Sequence, residues 1–452
     1  MEASFDQTFL SQIEGPQCPS SDKEQDKVPQ SATHVSDAEI SISRLNDFGA
    51  IGSDLWDSAE EHGVDSELYK QSHKFFDAID WQALAQTATR YRDGIQCSYV
   101  DAGRFSVGQF NMVRRLDFVD GVRWVARVRL PPEATIVPLE RYDSRRAFDI
   151  EVASMKFLKS KSTIPVPEVY VYDHDPSNQV GASYMLIEYI HGTVAHDLAS
   201  TKDSAPGMFG TPEQDQRFRQ QMAKIQAQVL TFRFPKIGSL YYDNDTDNFY
   251  IGADIITGRG PWASSVDYYC DLTDFLLRES AALYLSHRFP EKNTYFCAPV
   301  LLNYLMSTHS KNSDGPYSLV NRDFGSHNIL VDNDFNIVGV IDFDGIFASP
   351  PEAAAQYPVL SSMDPEPPGI TVTNPYALER IERTKPQLAK YKEWLMKYEA
   401  ELGNGNVAIS SLLGSRGAII YQGFVSCSEL LGFQNERWFA SALAMLREYA
   451  KA

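Results

Sequence analysis

The chain has 452 residues, 43% hydrophobic and 12% aromatic, apolar material for one large core or two to three small ones. Lys and Arg number 41 against 60 Asp and Glu, and the net charge of −19 repels phosphate backbones and anionic lipid, so nucleic acid is not an expected partner. The five cysteines, Cys18, Cys97, Cys270, Cys297 and Cys427, are scattered with no CxxC pair, which points away from a zinc site or redox dithiol and toward reduced thiols in the cytoplasm.

Residues 1–45 hold eight acids against Lys23, Lys27 and Arg44, with Ser, Gln and Pro between them. Such a segment buries too little to offset its ordering entropy and is expected to be a disordered, solvating tail. Glu2 and Asp6 stand where a signal peptide needs positive charge, and no apolar run follows, so secretion by that route is not expected. From Asp80 the stretch WQALAQTATRYR has helical spacing and stops at Gly94. The next segment, from Cys97 to Leu130, alternates and turns like three consecutive strands, with Asp120-Gly121 placed as a hairpin turn.

A helix is predicted over Arg146 to Lys159, followed by two strands at IPVPEVYVYD and SYMLIEYI. Thr211-Pro212-Glu213-Gln214 is a capping-box start with proline at the first helical position, and Phe218, Met222, Ile225 and Val229 line one face after it. Further helical pattern covers Tyr268 to Arg288 and Pro299 to Met306, which makes a helical block of residues 211–306. Short strands follow at YSLV, NILV and IVGVID, with a turn at Asp332 to Asn336, and the end is helical at Ala377 to Leu402 and Glu436 to Ala450. The longest apolar stretch, near Val407 to Val425, is interrupted by Arg416, Ser and Gly, so no membrane span is expected.

The most informative segment is SLVNRDFGSHNILVDNDFNIVGVIDFDG, Ser318 to Gly345. A polar loop between two apolar strands presents Asp323 and, five residues on, Asn328, and the next strand ends in Asp342. Phosphoryl transfer needs a carboxylate near the attacking hydroxyl and oxygen ligands for magnesium, all held rigidly, because catalysis there is mainly positioning and charge stabilisation. A hairpin whose Asp and Asn residues only make turns would use similar letters, as Asp332 and Asn333 do in this reading. The apolar flanks and the following Val-Ile-Asp-Phe favour the catalytic reading.

With these residues the chain resembles the aminoglycoside phosphotransferase group of the protein-kinase-like superfamily, close to its fungal branch, over about residues 80–450. The resemblance implies an α+β, bilobal fold with a small β-rich N-lobe and a larger helical C-lobe. The lobes would span residues 46–190 and 191–452. It implies ATP and Mg2+ as cofactors and a small-molecule hydroxyl as acceptor. Asp323 takes the place of the catalytic aspartate, Asn328 of the metal-binding asparagine and Asp342 of the aspartate that joins metal to phosphates, with Asp344 as a second candidate on the same strand face. The family's usual His two residues before the catalytic Asp is here Asn321, an amide that can also donate and accept.

In the first half, Gly103, Ser106, Gly108 and Asn111 occupy the phosphate-covering loop, where small residues let backbone N–H groups approach phosphate. Arg127 stands where a kinase has its phosphate-binding Lys, Glu151 on the following helix is placed to fix it, and the backbone from Glu188 to Ile190 takes the adenine edge. Arg322 is read as a surface charge or local structural partner. Few residues separate Asp342 from Pro350, too few for the long segment on which a peptide substrate docks, and this disfavours a protein kinase. The alternative from another class is a weak or silent pseudokinase that binds nucleotide or a protein partner as a scaffold, resting on Asn321 and the atypical glycine loop. Asp267, Asp271, Asp274, Glu279, Asp344 and Glu352 are expected to surround the acceptor with negative potential, which would suit a cationic molecule.

Overall fold

The computed structural model describes residues 65–98, 105–131, 143–202, 204–285, 299–300, 302–304, 306, 314–343, 345–360, 375–403 and 408–426. The acidic segment 1–45 and the expected helix Glu436 to Ala450 lie outside them, as do Gly103 and Asp344.

The described residues begin with two helices, α1 (Glu67–Ala78) and α2 (Trp81–Tyr91), each started by a side-chain cap in which Ser66 Oγ accepts from the Tyr69 amide and Asp80 Oδ1 from the Ala83 amide. An antiparallel sheet follows: β1 (Cys97–Ser98), β2 (Ser106–Val107), β3 (Asn111–Phe118) and β4 (Arg123–Arg129), then helix α3 (Ser144–Lys161), β5 (Val169–Asp173) and β6 (Tyr184–Glu188). The strands run in the order β1-β3-β4-β6-β5, with β2 also on β3, and the β3–β4 hairpin turns at Asp120-Gly121, where Gly121 takes a φ of +84° that favours glycine.

Period-two alternation gives the sheet two apolar faces. Met112, Leu116, Ala126, Val128 and Leu186 pack under α1 and α2 with Phe75, Leu84 and Ala88. Val125, Met185 and Ile187 face α3, meeting Phe148, Val152 and Met155, and that core continues into the second half of the chain. Arg127 therefore points to the α3 side, the same side as Val125.

Next come β7 (Thr193–Val194), α4 (Ala195–Thr201) and α5 (Pro212–Thr231), whose capping box at Thr211 and Gln214 forms as the sequence predicts and whose Phe218 and Met222 are fully buried. The expected helical block 211–306 is corrected here. It contains β8 (Arg233–Phe234) and a hairpin of β9 (Gly238–Asp243) and β10 (Asn248–Gly252) before α6 (Ser265–Leu285). The hairpin was open to the same reading as the others, since aromatic runs flank the turn DNDTDN.

β11 (Tyr317–Asn321), β12 (Ile329–Val331), β13 (Ile337–Val340), β14 (Ile346–Ser349), α7 (Pro351–Ala354), α8 (Pro375–Glu401) and α9 (Arg416–Ser426) complete the order. β14 lies between β9 and β11 in the sheet β10-β9-β14-β11-β8, and β12 lies between β13 and β7 in a smaller one. Helix α3 reaches this half through Phe157, whose ring lies 4.9 Å from Phe232 and 5.1 Å from Phe249, while Lys156 sits 3.8 Å over Tyr242. The architecture is α+β, with one six-stranded sheet in the first half and two smaller sheets among helices in the second. Among the described residues no helix is long and apolar enough to cross a membrane, and Cys97 and Cys270 are free thiols.

Candidate active site

The loop from Asn321 to Asn328 satisfies itself. It leaves β11, makes a one-turn helix at Ser326–Asn328 and enters β12. Asn321 Oδ1 accepts from the Asp323 amide at 3.0 Å and its Nδ2 donates to the Asp342 carbonyl at 3.3 Å, so this side chain braces the loop against the segment after β13. Asn328 Nδ2 donates to both the carbonyl and Oδ2 of Asp323 at 3.0 Å. His327 Nε2 lies 3.0 Å from Asp323 Oδ1. Burial alone would raise the Asp323 carboxyl, but the bond and charge of His327 and the Asn328 bond outweigh it and hold it below the usual carboxylate range. Burial likewise works against a charge on His327, and the Asp323 bond with the charges of Asp323, Asp342 and Asp197 overcomes it and raises the imidazole.

A second cluster gathers side chains from distant parts of the chain. Arg127 Nη2 of β4 lies 2.9 Å from Glu151 Oε1 of α3 and 3.2 Å from Asp342 Oδ1. Glu151 is fully buried, and burial pushes its carboxyl up, with Asp342 acting in the same direction and Arg127 and Arg129 against it. Asp342 has a left-handed φ of +63°, uncommon for a non-glycine residue and a form of strain that gathers at functional sites. The Ile341 amide bonds the Asn328 carbonyl at 3.0 Å, so Asp342 stands beside Asn328, and Val340 is tied to the Pro165 carbonyl just beyond α3.

The residues fit a magnesium ion in chemistry. Asn328 turns its amide nitrogen to Asp323, leaving Oδ1 without a hydrogen bond among the described residues, and Asp342 adds a carboxylate next to it. Hard oxygen donors in small number are what magnesium takes when phosphates complete its shell. Among the described residues no three His, Cys, Asp or Glu gather as a metal cage.

Of the segment expected to cover phosphate, the described part makes a turn at Gly108 to Phe110 between β2 and β3. The Gly108 amide donates to the Asn111 carbonyl at 2.9 Å, closing a turn between β2 and β3. Ser106 is buried in β2 opposite Val113, and Asn111 is buried at the start of β3. With its amide oxygen turned to the guanidinium, Asn111 accepts from Arg127 Nη2 at 2.8 Å and Nε at 3.1 Å, so it faces the arginine rather than the turn's outer side. Glu188 spends its carboxylate on Lys159 Nζ (2.8 Å) and the Glu168 amide (3.1 Å). β6 ends at Glu188, paired with Trp124 of β4, and the chain leaves the sheet just beyond it.

One expectation is corrected and one pair of alternatives is decided. Of the two readings of Arg322, surface charge or structural partner, the structure shows the partner. It lies mostly buried against Asp254 at 2.7 Å and over the Phe347 ring at 3.5 Å, a tie between the Asn321–Asn328 loop and the segment after β10. The acidic set is largely spent. Asp271 bonds Arg259 at 2.6 Å and Trp262 Nε1 at 2.9 Å, Asp274 bonds Arg259 and Arg278, and Glu352 is buried under the Tyr269 hydroxyl. Asp267 is exposed on α6, while Asp344 and the side chain of Glu279 lie outside the described residues. His327 was not read as a site residue, although its place one residue before Asn328 in a loop with a catalytic pattern was a signal.

The profile of the phosphotransferase enzyme family, APH, matches residues 104–353, more than half of the chain, and the chain belongs to that family. It is 33% identical over 147 residues to a subtelomeric hrmA-associated cluster protein of Aspergillus fumigatus, a match covering 32% of this chain and 26% of that protein. It is 32% identical over 122 residues to altered inheritance of mitochondria protein 9, mitochondrial, of Meyerozyma guilliermondii, covering 25% of this chain and 18% of that protein. The chain thus spans about a quarter or less of the curated relatives it matches. Among solved structures it is similar to a thermostable mutant of an aminoglycoside phosphotransferase in ternary complex with AMP-PNP and hygromycin B (16% identity, 82% of this chain and 100% of that chain, TM-score 0.43). Another is a macrolide 2'-phosphotransferase from Brachybacterium faecium (13% identity, 81% and 97%, TM-score 0.43).

Proposed function

We propose that this protein transfers the γ-phosphate of ATP to a hydroxyl of a small molecule with magnesium, residues 46–190 holding the nucleotide and residues 191–452 the acceptor. The observation that carries the reading is the meeting of Arg127, Glu151 and Asp342 beside the loop that holds Asp323 and Asn328. In it Asp323 receives the acceptor hydroxyl, Arg127 holds phosphate oxygens, and Asn328 and Asp342 hold the metal, which when bound offsets charge on the phosphates. Asp323 is held ionised, so it can accept a hydrogen bond from the hydroxyl, aim it and take its proton as the new O–P bond forms and ADP leaves. The backbone from Glu188 to Ile190 takes the adenine edge, at the point where the chain leaves β6 between the two halves of the molecule.

Gly108 supports the phosphate turn. Its φ is not left-handed, and a Cβ there would have as its nearest neighbour the Asn111 carbonyl at 3.9 Å, so nothing in the protein itself demands glycine. Close approach of a ligand to the backbone supplies the reason. The acceptor is left as a hydroxylated small molecule without a charge preference, because Arg259 and Arg278 answer two of the acids that would favour a cation.

The test is magnesium-ATP binding by calorimetry in parallel with ATP consumption across amino alcohols, sugars and aminoglycosides. Consumption that depends on one acceptor class supports the reading. Tight nucleotide binding with no consumption in any arm would favour the silent scaffold, whose support is Asn321 in place of histidine.

A further inference from the structure

We propose that His327 is a positioning residue that fixes the Asp323 carboxylate through an Nε2–H hydrogen bond and so aims its free lone pairs at the acceptor hydroxyl. The proposal rests on the transferase reading of this site and names a part for a residue outside the Asp-Asn-Asp set.

Asp323 lies on a loop with its side chain 52% exposed, and an untied carboxylate there would rotate among rotamers. Two donors prevent this, one on each oxygen: Asn328 Nδ2 on Oδ2 and His327 Nε2 on Oδ1, both at 3.0 Å. An ionised carboxylate only accepts, so the imidazole must carry its proton on Nε2. The carboxylate has about four lone-pair sites, and filling one on each oxygen leaves the others with a set direction.

A second observation shows that room is made for this ring. A Cβ on Gly325 would stand 2.5 Å from His327 Cε1 and 2.7 Å from its Nδ1, as well as 2.8 Å from the Val359 carbonyl. Gly325 has an extended φ of −145°, open to any residue, so its glycine is required by space and not by backbone conformation. The space it leaves is filled by the imidazole folded back across the short helix onto Asp323. His327 itself is 42% exposed, and no apolar core depends on it.

The experiment uses the full-length protein with magnesium-ATP and the acceptor class found active, or slow hydrolysis of ATP by water if none is. His327→Ala is expected to lower turnover on the order of 10- to 100-fold through misplacement of the carboxylate. Its affinity for magnesium-AMP-PNP and its melting temperature stay as in the wild type. His327→Gln puts an amide donor where Nε2 stood and is expected to recover most of the rate, whereas the shorter His327→Asn is not. Separately, 15N spectra of the imidazoles should show His327 as the Nε2–H tautomer, and Asp323→Ala should change that signal.

Turnover of His327→Ala within about twofold of wild type would overturn the proposal, as would a Gln variant no better than Ala. A wild type that consumes no ATP sinks the transferase reading instead. The spectra then decide on His327 alone: the Nε2–H tautomer, altered by Asp323→Ala, upholds the fixed carboxylate, and a signal indifferent to Asp323 rejects it.

Discussion

The Asn321–Asn328 loop and the Arg127 cluster hold their polar groups in opposite ways. In the loop, Asn321, Asp323, His327 and Asn328 bond one another across two to five residues of chain. In the cluster, Arg127 and Asp342 meet across 215 residues, and Glu151 joins from a helix that packs on both halves of the molecule. Closing a short loop costs little entropy, so the first arrangement needs little beyond its own sequence and the two strands that flank it. The second exists only once sheet, helix and second half are assembled, and its buried charges make it costly to leave incomplete. The lesson is that loop variants should damage chemistry with little effect on folding, and cluster variants should damage both.

The sharpest break of that contrast comes from Asp323→Asn. It is expected to reduce transfer by about 10²- to 10⁴-fold, the range for a positioned acid or base, while magnesium-AMP-PNP titration and melting stay near wild type. Equal activity in variant and wild type would end the catalytic assignment. Next is Glu151→Ala, which removes the buried partner of Arg127. Breaking such a pair costs about 3–5 kcal/mol, so thermal or urea unfolding should shift strongly and nucleotide affinity should fall with it. A variant as stable as wild type would show that the cluster is not the structural joint described above.

Asp342→Asn tests the point where the two regions touch. Asparagine tolerates the left-handed backbone at this position, so the fold should persist while loss of the anionic ligand weakens magnesium-nucleotide binding on the order of tenfold or more. Unchanged affinity here, with a loss on Asp344→Ala, would move the metal role to the other aspartate. The smallest effect is expected from Asn321→His. Because Asn321 only links the Asp323 amide to the Asp342 carbonyl, a side chain with both donor and acceptor should keep activity within about tenfold, or about 1.4 kcal/mol. A variant that becomes active from an inactive wild type would instead mark the natural chain as a disabled kinase.

Much of this molecule was determined by local sequence. Helix starts at Asp80 and Thr211, the turn at Asp120-Gly121, the alternation of β3 and β4 and the Asp323-to-Asn328 loop all depend on neighbours within a few residues, and each is legible in the letters. Arg127 opposite Glu151 was legible only through family resemblance, since nothing local joins a strand to a helix. Tertiary structure alone decided that Arg322 is buried on Asp254 and Phe347, that Arg259 neutralises Asp271 and Asp274, and that β14 enters the sheet between β9 and β11. The physical reason is common to all three. A charged side chain or a four-residue strand has no fixed preference of its own, and its place is set by which distant surface offers an opposite charge, an aromatic face or an unpaired strand edge when the chain packs.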